Sequence, residues 1–361
     1  AAIMVTGSHN PPEYNGFKMV FNKHSFFSEN IQSLQKLIDD NKLELLEGNI
    51  DNQNITQEYI DRVLLNINLK RKLKIAWDPG NGAMGAVIKR ITEKLINSEN
   101  IIINEEVDGN FPNHHPDPSR PENIQDLISA VKDNKSKVGL AFDGDADRLG
   151  VISSEGEMIF PDMQMILFSR QIIKDKPNAK IVFDVKCSKL LSDEIMKLGG
   201  KPLICKTGHT FIKQKIREEE AFLGGEMSGH IFFNDRWPGF DDGIYAGARM
   251  LEIIASSEEE NIFDSIPKMF STPEINVSST DEEKFRLVEQ FKNNYNIENA
   301  NIIDIDGIRI EFEKGWGLLR ASNTSPVLVL RFEADTEVEL IKIKNMFLEN
   351  LKNIKADIEE F

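Results

Sequence analysis

Short apolar runs separated by polar, glycine-rich loops recur along the first two thirds of the chain. Apolar runs bounded by Gly, Asn, Asp or Pro predict β-strands joined by tight loops. Three segments share the order of strand, loop and strand, and their loops read TGSHNPPEYNG, DGDADR and GGEMSGH. The three segments span residues 3–21, 138–152 and 221–233.

Two other segments pass from an apolar strand through an aspartate into a helix-like stretch. LKIAW leads to Asp78 and a predicted helix over 83–95, and AKIVF leads to Asp184 and a predicted helix over 189–198. The aspartates are separated by about a hundred residues, a typical domain size, which indicates a repeated α/β unit. Apolar residues at helical spacing also predict helices over 31–38, 60–67 and 124–131.

The pattern changes after about residue 266. A strand near 275–277 precedes a predicted helix over 282–295, several short strands follow between 302 and 332, and a last helix covers 337–351. This order predicts a smaller α+β domain with an antiparallel sheet. At the other end, a strand-like run begins directly after Ala1, so we expect the first domain to be truncated at its N-terminus.

The composition is that of an ordinary globular protein. Of the 361 residues, 40% are hydrophobic and 28% are charged. The net charge of −16 argues against a nucleic-acid partner, and no apolar run is long enough for a membrane span. Cys187 and Cys205 have neither disulfide-framework nor zinc spacing, so we expect reduced thiols in a cytoplasmic protein.

The loop DGDADR, residues 143–148, carries aspartates at alternate positions directly after an apolar run. If the carboxylates converge to about 6 Å, each pair repels by roughly 3 kcal/mol in a partly buried site. Oxygen ligands at a strand end favour Mg²⁺, which keeps open positions for a phosphate. An EF-hand is excluded, because Arg148 and Ser154 stand where that loop requires Gly and Glu. The alternative is a solvated acidic turn.

The loop TGSHNPP places the hydroxyl of Ser8 beside the imidazole of His9. It suits a nucleophilic or phosphoryl-carrying serine, although a plain turn is the alternative. A hydrolase elbow is excluded, because the second glycine of Gly-x-Ser-x-Gly is absent. Lys18 follows an Asn-Gly turn, so it could fold back over Ser8.

Two further loops have the chemistry of a sugar phosphate site. In GGEMSGH, glycines allow close approach of a ligand and Glu226 can accept hydrogen bonds from vicinal hydroxyls. In RASNTSP, residues 320–326, one guanidinium, several hydroxyls and turn amides form an anion nest. Lys186 and His209 follow neighbouring strands, where a positive charge could face the same anion. The alternatives are a glycine hairpin without a ligand and a polar turn.

The turn GNGAMG, residues 80–85, matches the dinucleotide-binding fingerprint, with the acidic Glu105 about twenty residues further on. Glycine-rich turns between a strand and a helix also occur without any nucleotide. We treat the match as coincidental and keep an NAD-dependent oxidoreductase as an alternative.

Taken together, these loops closely resemble the α-D-phosphohexomutase family and, within it, the bacterial phosphomannomutase/phosphoglucomutase branch. The resemblance covers essentially the whole chain, because TGSHNP, DGDADR, GEMSGH and RASNTSP follow the family's order. It implies an α/β fold in which repeated mixed α/β domains and a C-terminal α+β domain surround a central cleft. The implied domains span residues 1–54, 55–155, 156–265 and 266–361.

The resemblance also implies roles for individual residues, with Ser8 carrying the phosphoryl group and Lys18 as the preferred general acid/base ahead of His230. The implied metal ligands are Ser8, Asp143, Asp145 and Asp147. The implied catalytic residues are Ser8, His9, Lys18 and Arg148. The implied substrate-binding residues are Lys186, His209, Glu226, Ser228, His230, Arg320, Ser322, Asn323, Thr324 and Ser325.

The implied activity is the interconversion of hexose 1-phosphate and hexose 6-phosphate, with Mg²⁺ and a hexose 1,6-bisphosphate intermediate. Sugar phosphates are the expected partners of a monomer or weak homodimer that binds neither nucleic acid nor membrane. The sequences GEMSGH and RASNTSP favour mannose and glucose over glucosamine, without deciding between the two sugars. Because the family has more chain before the serine, a binding fragment without turnover is the alternative.

Overall fold

The computed structural model describes residues 1–8, 10, 13–22, 24–27, 29–43, 46–294 and 300–361. These residues form four β-sheets with helices packed on them, which confirms the predicted α/β class with a C-terminal α+β part. His9 lies outside the described residues. No helix of the described ranges is long and apolar enough to cross a bilayer.

The first unit is a small antiparallel sheet followed by one helix. Its elements are β1 (Ala2–Val5), β2 (Phe17–Phe21), β3 (His24–Phe26) and α1 (Glu29–Asp39). The strands follow the order β1-β2-β3, and every residue of β1 is exposed. No residue of α1 is buried, so polar contacts of the loop between β1 and β2 contribute much of the attachment of this unit.

The second unit is a mixed five-stranded sheet. Its elements are α2 (Thr56–Leu64), β4 (Leu73–Asp78), α3 (Ile88–Lys94), β5 (Ser98–Ile102), α4 (Gln125–Asn134), β6 (Val138–Phe142), β7 (Leu149–Ser153) and β8 (Met158–Ile159). The order is β5-β4-β6-β7-β8, with β4 parallel to its two neighbours and β7 antiparallel to β6. All residues of β6 and β7 are buried, so the loop between these strands starts from the interior.

The third unit repeats this arrangement. Its elements are α5 (Pro161–Asp175), β9 (Lys180–Asp184), α6 (Lys189–Lys197), β10 (Lys201–Cys205), α7 (His209–Glu219), β11 (Leu223–Gly225), β12 (Ile231–Phe233) and α8 (Gly243–Ser256). The order β10-β9-β11-β12 matches β5-β4-β6-β7, with the last pair antiparallel in both sheets. The predicted repeat is therefore confirmed, and DGDADR and GGEMSGH fall between equivalent strands.

The fourth unit is an antiparallel sheet with two helices, as the sequence predicts. Its elements are β13 (Phe270–Ser271), β14 (Ile275–Ser278), α9 (Glu283–Asn294), β15 (Asn301–Ile303), β16 (Ile308–Phe312), β17 (Gly315–Ala321), β18 (Val327–Ala334) and α10 (Glu337–Ile354). The order is β13-β18-β17-β16-β15, and β14 also pairs with β18. RASNTSP forms the end of β17 and its turn into β18.

Core packing fixes the relative positions of the second and third units. Buried side chains of both units, including Leu149 of β7 and Tyr245 of α8, belong to one continuous apolar cluster. The fourth unit has a separate core around Phe332 and Phe347. Buried polar contacts join it to the third unit, and Arg309 of β16 donates to the Val185 carbonyl at 2.8 Å.

The structure corrects several predicted helices. The stretch 83–95 is a 3₁₀ turn at Ala83–Ala86 followed by α3, and Gly85 in that turn packs closely against the Glu105 carbonyl. The helix predicted at 60–67 begins earlier and ends at Leu64, since Asn66 is left-handed with φ of 66°. Three helices without a clear sequence signal are α5, α7 and α8.

A buried polar cluster lies at the end of β4 in the second unit. The carboxylate of Asp78 accepts hydrogen bonds from the Gly80 amide at 2.9 Å, Asn104 Nδ2 at 3.1 Å and His114 Nε2 at 3.0 Å. The hydrogen bond that His114 donates to Asp78 raises the pKa of His114 to about 9 against the opposing effect of burial.

We expect His114→Gln to remove a pH-dependent part of the stability of the second unit. Because the pKa is raised in the folded state, the contribution is fully present below about pH 6.5 and is lost through about pH 9. Chemical unfolding at pH 6 should show a loss of about 1–3 kcal/mol that shrinks by pH 9.5. His115→Gln, which removes an exposed imidazole, is the control. Parallel stability curves for wild type and His114→Gln would contradict the expectation.

Candidate active site

The acidic loop, residues 143–148, draws its carboxylates together at the end of a buried strand. One oxygen each of Asp143, Asp145 and Asp147 lies within 4.8 Å of the others. Asp143 is fully buried, and its Oδ1 accepts a hydrogen bond from the Arg148 amide at 3.1 Å. The guanidinium Nε of Arg148 lies 3.6 Å from Asp143 Oδ2, so the loop carries its own partial countercharge.

The negative charges of this loop are only partly compensated by the residues around it. Burial first, and then the charge of Asp147, raise the pKa of Asp143 to about 8. Burial opposes ionisation of Asp145, but the ammonium of Lys18 outweighs it and lowers the pKa of Asp145 to about 2. The buried Oδ1 of Asp145 finds no hydrogen-bond donor among the described residues, and Oδ1 of Asp147 has His230 Nδ1 at 3.3 Å. These oxygens are suited to a cation.

Thr6 and Ser8, at the start of the serine loop (residues 6–16), lie against the acidic loop. Ser8 has a left-handed backbone with φ of 50°, and its amide donates to Thr6 Oγ1 at 2.9 Å. The hydroxyl of Ser8 donates to Asp143 Oδ2 at 3.0 Å, and that of Thr6 donates to Asp145 Oδ2 at 3.0 Å. Ser8 is therefore held directly at the acidic cluster.

Lys18 folds back from β2, as its position after the Asn-Gly turn suggested, but it contacts the acidic loop. Its ammonium donates to Asp145 Oδ2 at 2.9 Å and also pairs with Asp147. Burial disfavours the ammonium, but Asp147 and Asp145 outweigh it and raise the pKa of Lys18. Lys18 is thus a protonated group whose positive charge partly neutralises the acidic loop.

Two histidines lie on the other side of the acidic loop. His230 Nδ1 is 3.3 Å from Asp147 Oδ1 and 3.1 Å from Asp241 Oδ2, while Arg148 Nε donates to His230 Nε2 at 3.1 Å. The ring of His209 stacks on that of His230 at 5.5 Å. The sequence suggested that His209 lies in a loop, but it is the first residue of α7.

The environments of the two histidines move their pKa values apart. Burial lowers the pKa of His230, but the carboxylates of Asp147 and Asp241 outweigh it and raise it. Burial first, and then the charge of Lys213, lower the pKa of His209 to about 4. At pH 7 His209 is therefore neutral, whereas the carboxylates around His230 favour its charged form.

The GEMSGH loop, residues 225–230, turns back on itself beside these histidines. The Glu226 amide donates to the His230 carbonyl at 3.0 Å, and Ser228 Oγ lies 3.5 Å from Glu226 Oε2. The buried Glu226 carboxylate accepts a hydrogen bond from the Gly208 amide. Burial raises the pKa of Glu226 despite the opposing charges of His230 and Lys186.

Lys186 is held near this loop by residues that no sequence motif indicated. Its ammonium donates to Glu274 Oε2 at 2.9 Å. The buried Arg331 of β18 bonds to the Lys186 carbonyl and donates to Met227 Sδ at 3.0 Å. The fourth unit therefore contacts both Lys186 and the GEMSGH loop.

In the RASNTSP loop, residues 320–326, a serine organises the turn. Ser322 Oγ accepts from the Thr324 amide at 3.3 Å and the Ser325 amide at 3.2 Å. The side chains of Asn323 and Thr324 are exposed, so their donors face solvent and are open to an anion.

Arg320 connects this loop to the third unit through a residue that sequence reasoning missed. Its Nε donates to Asp306 Oδ2 at 3.1 Å, and the same oxygen accepts from the Thr207 amide at 3.0 Å. Thr207 lies next to Gly208, which donates to Glu226. No residue near Asp306 forms a recognisable motif, so only the fold brings this aspartate to the site.

Contacts thus run without a gap through all four loops, from Ser8 to Asp143, through Arg148 and His230 to the GEMSGH loop, and on to Arg320. Two cavities flank this path. One of about 650 Å³ is lined by Ser8, Lys18, Asp145 and Asp147 among others. The other, of about 550 Å³, is lined by Lys186, Met227, Ser228, Glu274 and Arg331 among others.

Comparison with known proteins agrees with this geometry. Four models of phosphoglucomutase/phosphomannomutase match in order: alpha/beta/alpha domain I at residues 1–44, domain II at 57–156, domain III at 160–270 and the C-terminal domain at 274–350. The chain belongs to the phosphoglucomutase/phosphomannomutase family. The resemblance stated from the four sequence motifs is confirmed.

Individual relatives cover nearly the whole chain. The phosphomannomutase/phosphoglucomutase of Pseudomonas putida is 46% identical over 99% of this chain and 78% of its own length. The phosphoglucomutase of Neisseria gonorrhoeae is 46% identical over 96% of this chain and 76% of its own. The structure of a family protein from Burkholderia thailandensis has a TM-score of 0.94 at 43% identity, over 99% of this chain and 78% of that one.

We expect the acidic loop to bind one divalent cation. Asp145→Asn removes a buried, unpartnered oxygen and a negative charge, so affinity for Mn²⁺ should fall at least about tenfold in calorimetric titration. Glu155→Gln, an exposed acidic residue of the next turn, is the matched control and should retain wild-type affinity. Equal affinities of the wild type and Asp145→Asn would place any bound cation elsewhere.

Proposed function

We propose that this chain is a phosphohexomutase that interconverts the 1-phosphate and 6-phosphate of mannose and glucose through phosphorylated Ser8 and a hexose 1,6-bisphosphate. The observation that carries the proposal is the 3.0 Å contact of Ser8 Oγ with Asp143. In a member of this family, a serine hydroxyl at a cluster of carboxylates fits a phosphoryl carrier. Four contacting loops provide separate places for the sugar and both phosphates.

We propose Mg²⁺ as the cation of the acidic loop. The donor set is all oxygen and compact, and the buried Oδ1 of Asp145 has no hydrogen-bond donor among the described residues, which fits Mg²⁺. Asp143, Asp145, Asp147 and the Ser8 oxygen would hold the ion. Bound there, Mg²⁺ would neutralise charge on the phosphoryl group, which otherwise meets strong repulsion from the carboxylates.

In the transfer step, the bond between phosphorus and Ser8 Oγ breaks as a sugar hydroxyl oxygen bonds to phosphorus. The hydroxyl proton must leave, and Ser8 Oγ must gain one. Lys18 borders the acidic loop as an ammonium, so it would donate a proton to Ser8 Oγ, and its free amine would then take up the hydroxyl proton; His230 is the second candidate. His209, stacked on His230 with a pKa of about 4, is neutral at pH 7 and a weaker base than an ordinary histidine, so it is not assigned the proton transfer.

The other loops hold the rest of the substrate. Arg320, Lys186 and the exposed amides and hydroxyls of the RASNTSP loop would bind the distal phosphate. Glu226 would accept a hydrogen bond from one sugar hydroxyl, and Ser228 would donate a hydrogen bond to a second. Because the bisphosphate must turn over between two half-reactions, these residues have to bind both orientations. Weak contact with the 2-hydroxyl would explain activity on both mannose and glucose.

The match of all four family domains favours this enzyme over the sugar-phosphate-binding fragment without turnover. The GNGAMG turn does not support an NAD enzyme. The acidic loop packs on the turn where a dinucleotide phosphate would bind, and its Gly144 carbonyl accepts from the Ala83 amide. That the protein acts as a cytoplasmic monomer or weak homodimer stays a prediction.

The proposal is tested by Ser8→Ala in a coupled assay with glucose 1-phosphate and mannose 1-phosphate. Loss of the phosphoryl carrier should lower kcat by at least about a thousandfold. Peptide mapping of the wild type should locate a labile phosphate on Ser8. Ser33→Ala, an exposed serine of α1, is the control. Turnover that persists in Ser8→Ala, or a wild type that binds substrate without converting it, would refute the mutase.

We expect Arg320→Ala to separate substrate binding from phosphoryl transfer. Loss of charge-assisted hydrogen bonds of about 1.5–3 kcal/mol should lower kcat/KM roughly ten- to a hundredfold. Phosphorylation of Ser8 by added glucose 1,6-bisphosphate, followed by mass, should remain possible at saturating concentration. Arg286→Ala, an exposed residue of α9, is the control. An unchanged KM for Arg320→Ala would remove Arg320 from the phosphate site.

A further inference from the structure

The proposed function leaves the glycine-rich turn of residues 80–85 without a role. Its backbone lies directly against the acidic loop, and the Ala83 amide donates to the Gly144 carbonyl at 2.9 Å. A Cβ atom added to Gly82 would lie 2.7 Å from the Gly144 carbonyl oxygen and 3.1 Å from that of Asp143. Contact of this kind is possible only without a side chain.

A second glycine makes the same kind of contact from the third unit. Gly243 is the first residue of α8, and its amide donates to the Ala146 carbonyl at 3.0 Å. A Cβ atom added there would lie 2.4 Å from the Arg148 carbonyl oxygen and 2.9 Å from that of Ala146. The two glycines belong to different units, yet both contact the backbone of one loop.

Close approach, not backbone freedom, is what requires glycine here. Gly82 has φ of −87° and ψ of −170°, an extended conformation open to any residue. Gly243 is not left-handed either. The atoms that an added Cβ would meet are backbone atoms, which cannot rotate away like a side chain, so the acidic loop itself would have to move.

The hydrogen bonds alternate with the metal ligands along the loop. Asp143, Asp145 and Asp147 direct carboxylates to the cluster, while the intervening Gly144 and Ala146 carbonyls accept hydrogen bonds from Ala83 of the same unit and Gly243 of the third unit. Without such restraints, repulsion among the carboxylates would favour a loop whose side chains splay into water.

We propose that Gly82 and Gly243 are positioning residues that clamp the acidic loop from two sides and set the spacing of its carboxylates for the divalent cation. The inference rests on the proposed cation site. It gives the GNGAMG turn a role that differs from nucleotide binding. Since ligand geometry determines affinity for a divalent ion, a displacement of a few tenths of an ångström is expected to matter.

The test compares Gly82→Ala and Gly243→Ala with two matched controls. Gly109→Ala, in the second unit, adds a methyl group to open space, and Gly247→Ala adds one within α8 against side chains of the core. Mn²⁺ affinity and the Mn²⁺ electron paramagnetic resonance spectrum are measured on folded protein, with melting temperature recorded alongside. We expect about tenfold or greater weakening and an altered spectrum in the two clamp variants only.

A folded Gly82→Ala or Gly243→Ala protein with wild-type affinity and spectrum would overturn the proposal, as would equal weakening in Gly247→Ala. If a clamp variant does not fold, amide hydrogen exchange in the metal-free wild type decides. The Ala83 and Gly243 amides should be protected without metal, and rapid exchange there would refute a preformed clamp. None of these readouts depends on turnover, so the clamp can be tested even if the mutase assay fails. A failed clamp test likewise leaves the proposed mutase activity standing.

Discussion

Mutual repulsion of three aspartates on one short loop is the constraint on which the site depends. The carboxylates converge within 4.8 Å, and one of them is fully buried. Neighbouring elements compensate this negative charge. Lys18 supplies an ammonium, while Ser8 and Thr6 supply hydroxyl donors. Since β1 is exposed throughout, these polar contacts, more than apolar burial, hold the serine loop at the place where its chemistry is needed.

One structural unit, used twice, accounts for the relation between the acidic and GEMSGH loops. Both loops follow the third strand of equivalent sheets and return through an antiparallel fourth strand. Asp78 and Asp184 end equivalent strands and are both fully buried. The shared core of the two units fixes the loops relative to each other, so the proposed ion site and the proposed sugar site can face one substrate while their sequences diverge.

The sequence predicted what is local along the chain. The four loops and the repeat followed from motifs and strand patterns. Asp241, Asp306 and Arg331 did not, because each acts on a loop from another part of the chain and has no motif around it. Helix α8 was missed since it is buried on nearly all sides, which removes the periodic contrast between apolar and polar faces. Gly82 was noticed, but its neighbour, the acidic loop, lay about sixty residues away.

Buried charged side chains attach the fourth unit to the third, although apolar packing alone would give greater stability. Arg331 is buried, pairs with Asp162 Oδ2 at 3.0 Å and also contacts the Lys186 carbonyl and Met227 Sδ. Buried ion pairs contribute little net stability, but their hydrogen bonds tolerate few alternative geometries. An apolar contact at Arg331 could slide, whereas this network fixes Lys186 and the GEMSGH loop to the strand that leads from the RASNTSP turn. The proposed binding of one phosphate in two substrate orientations would require that kind of fixed separation.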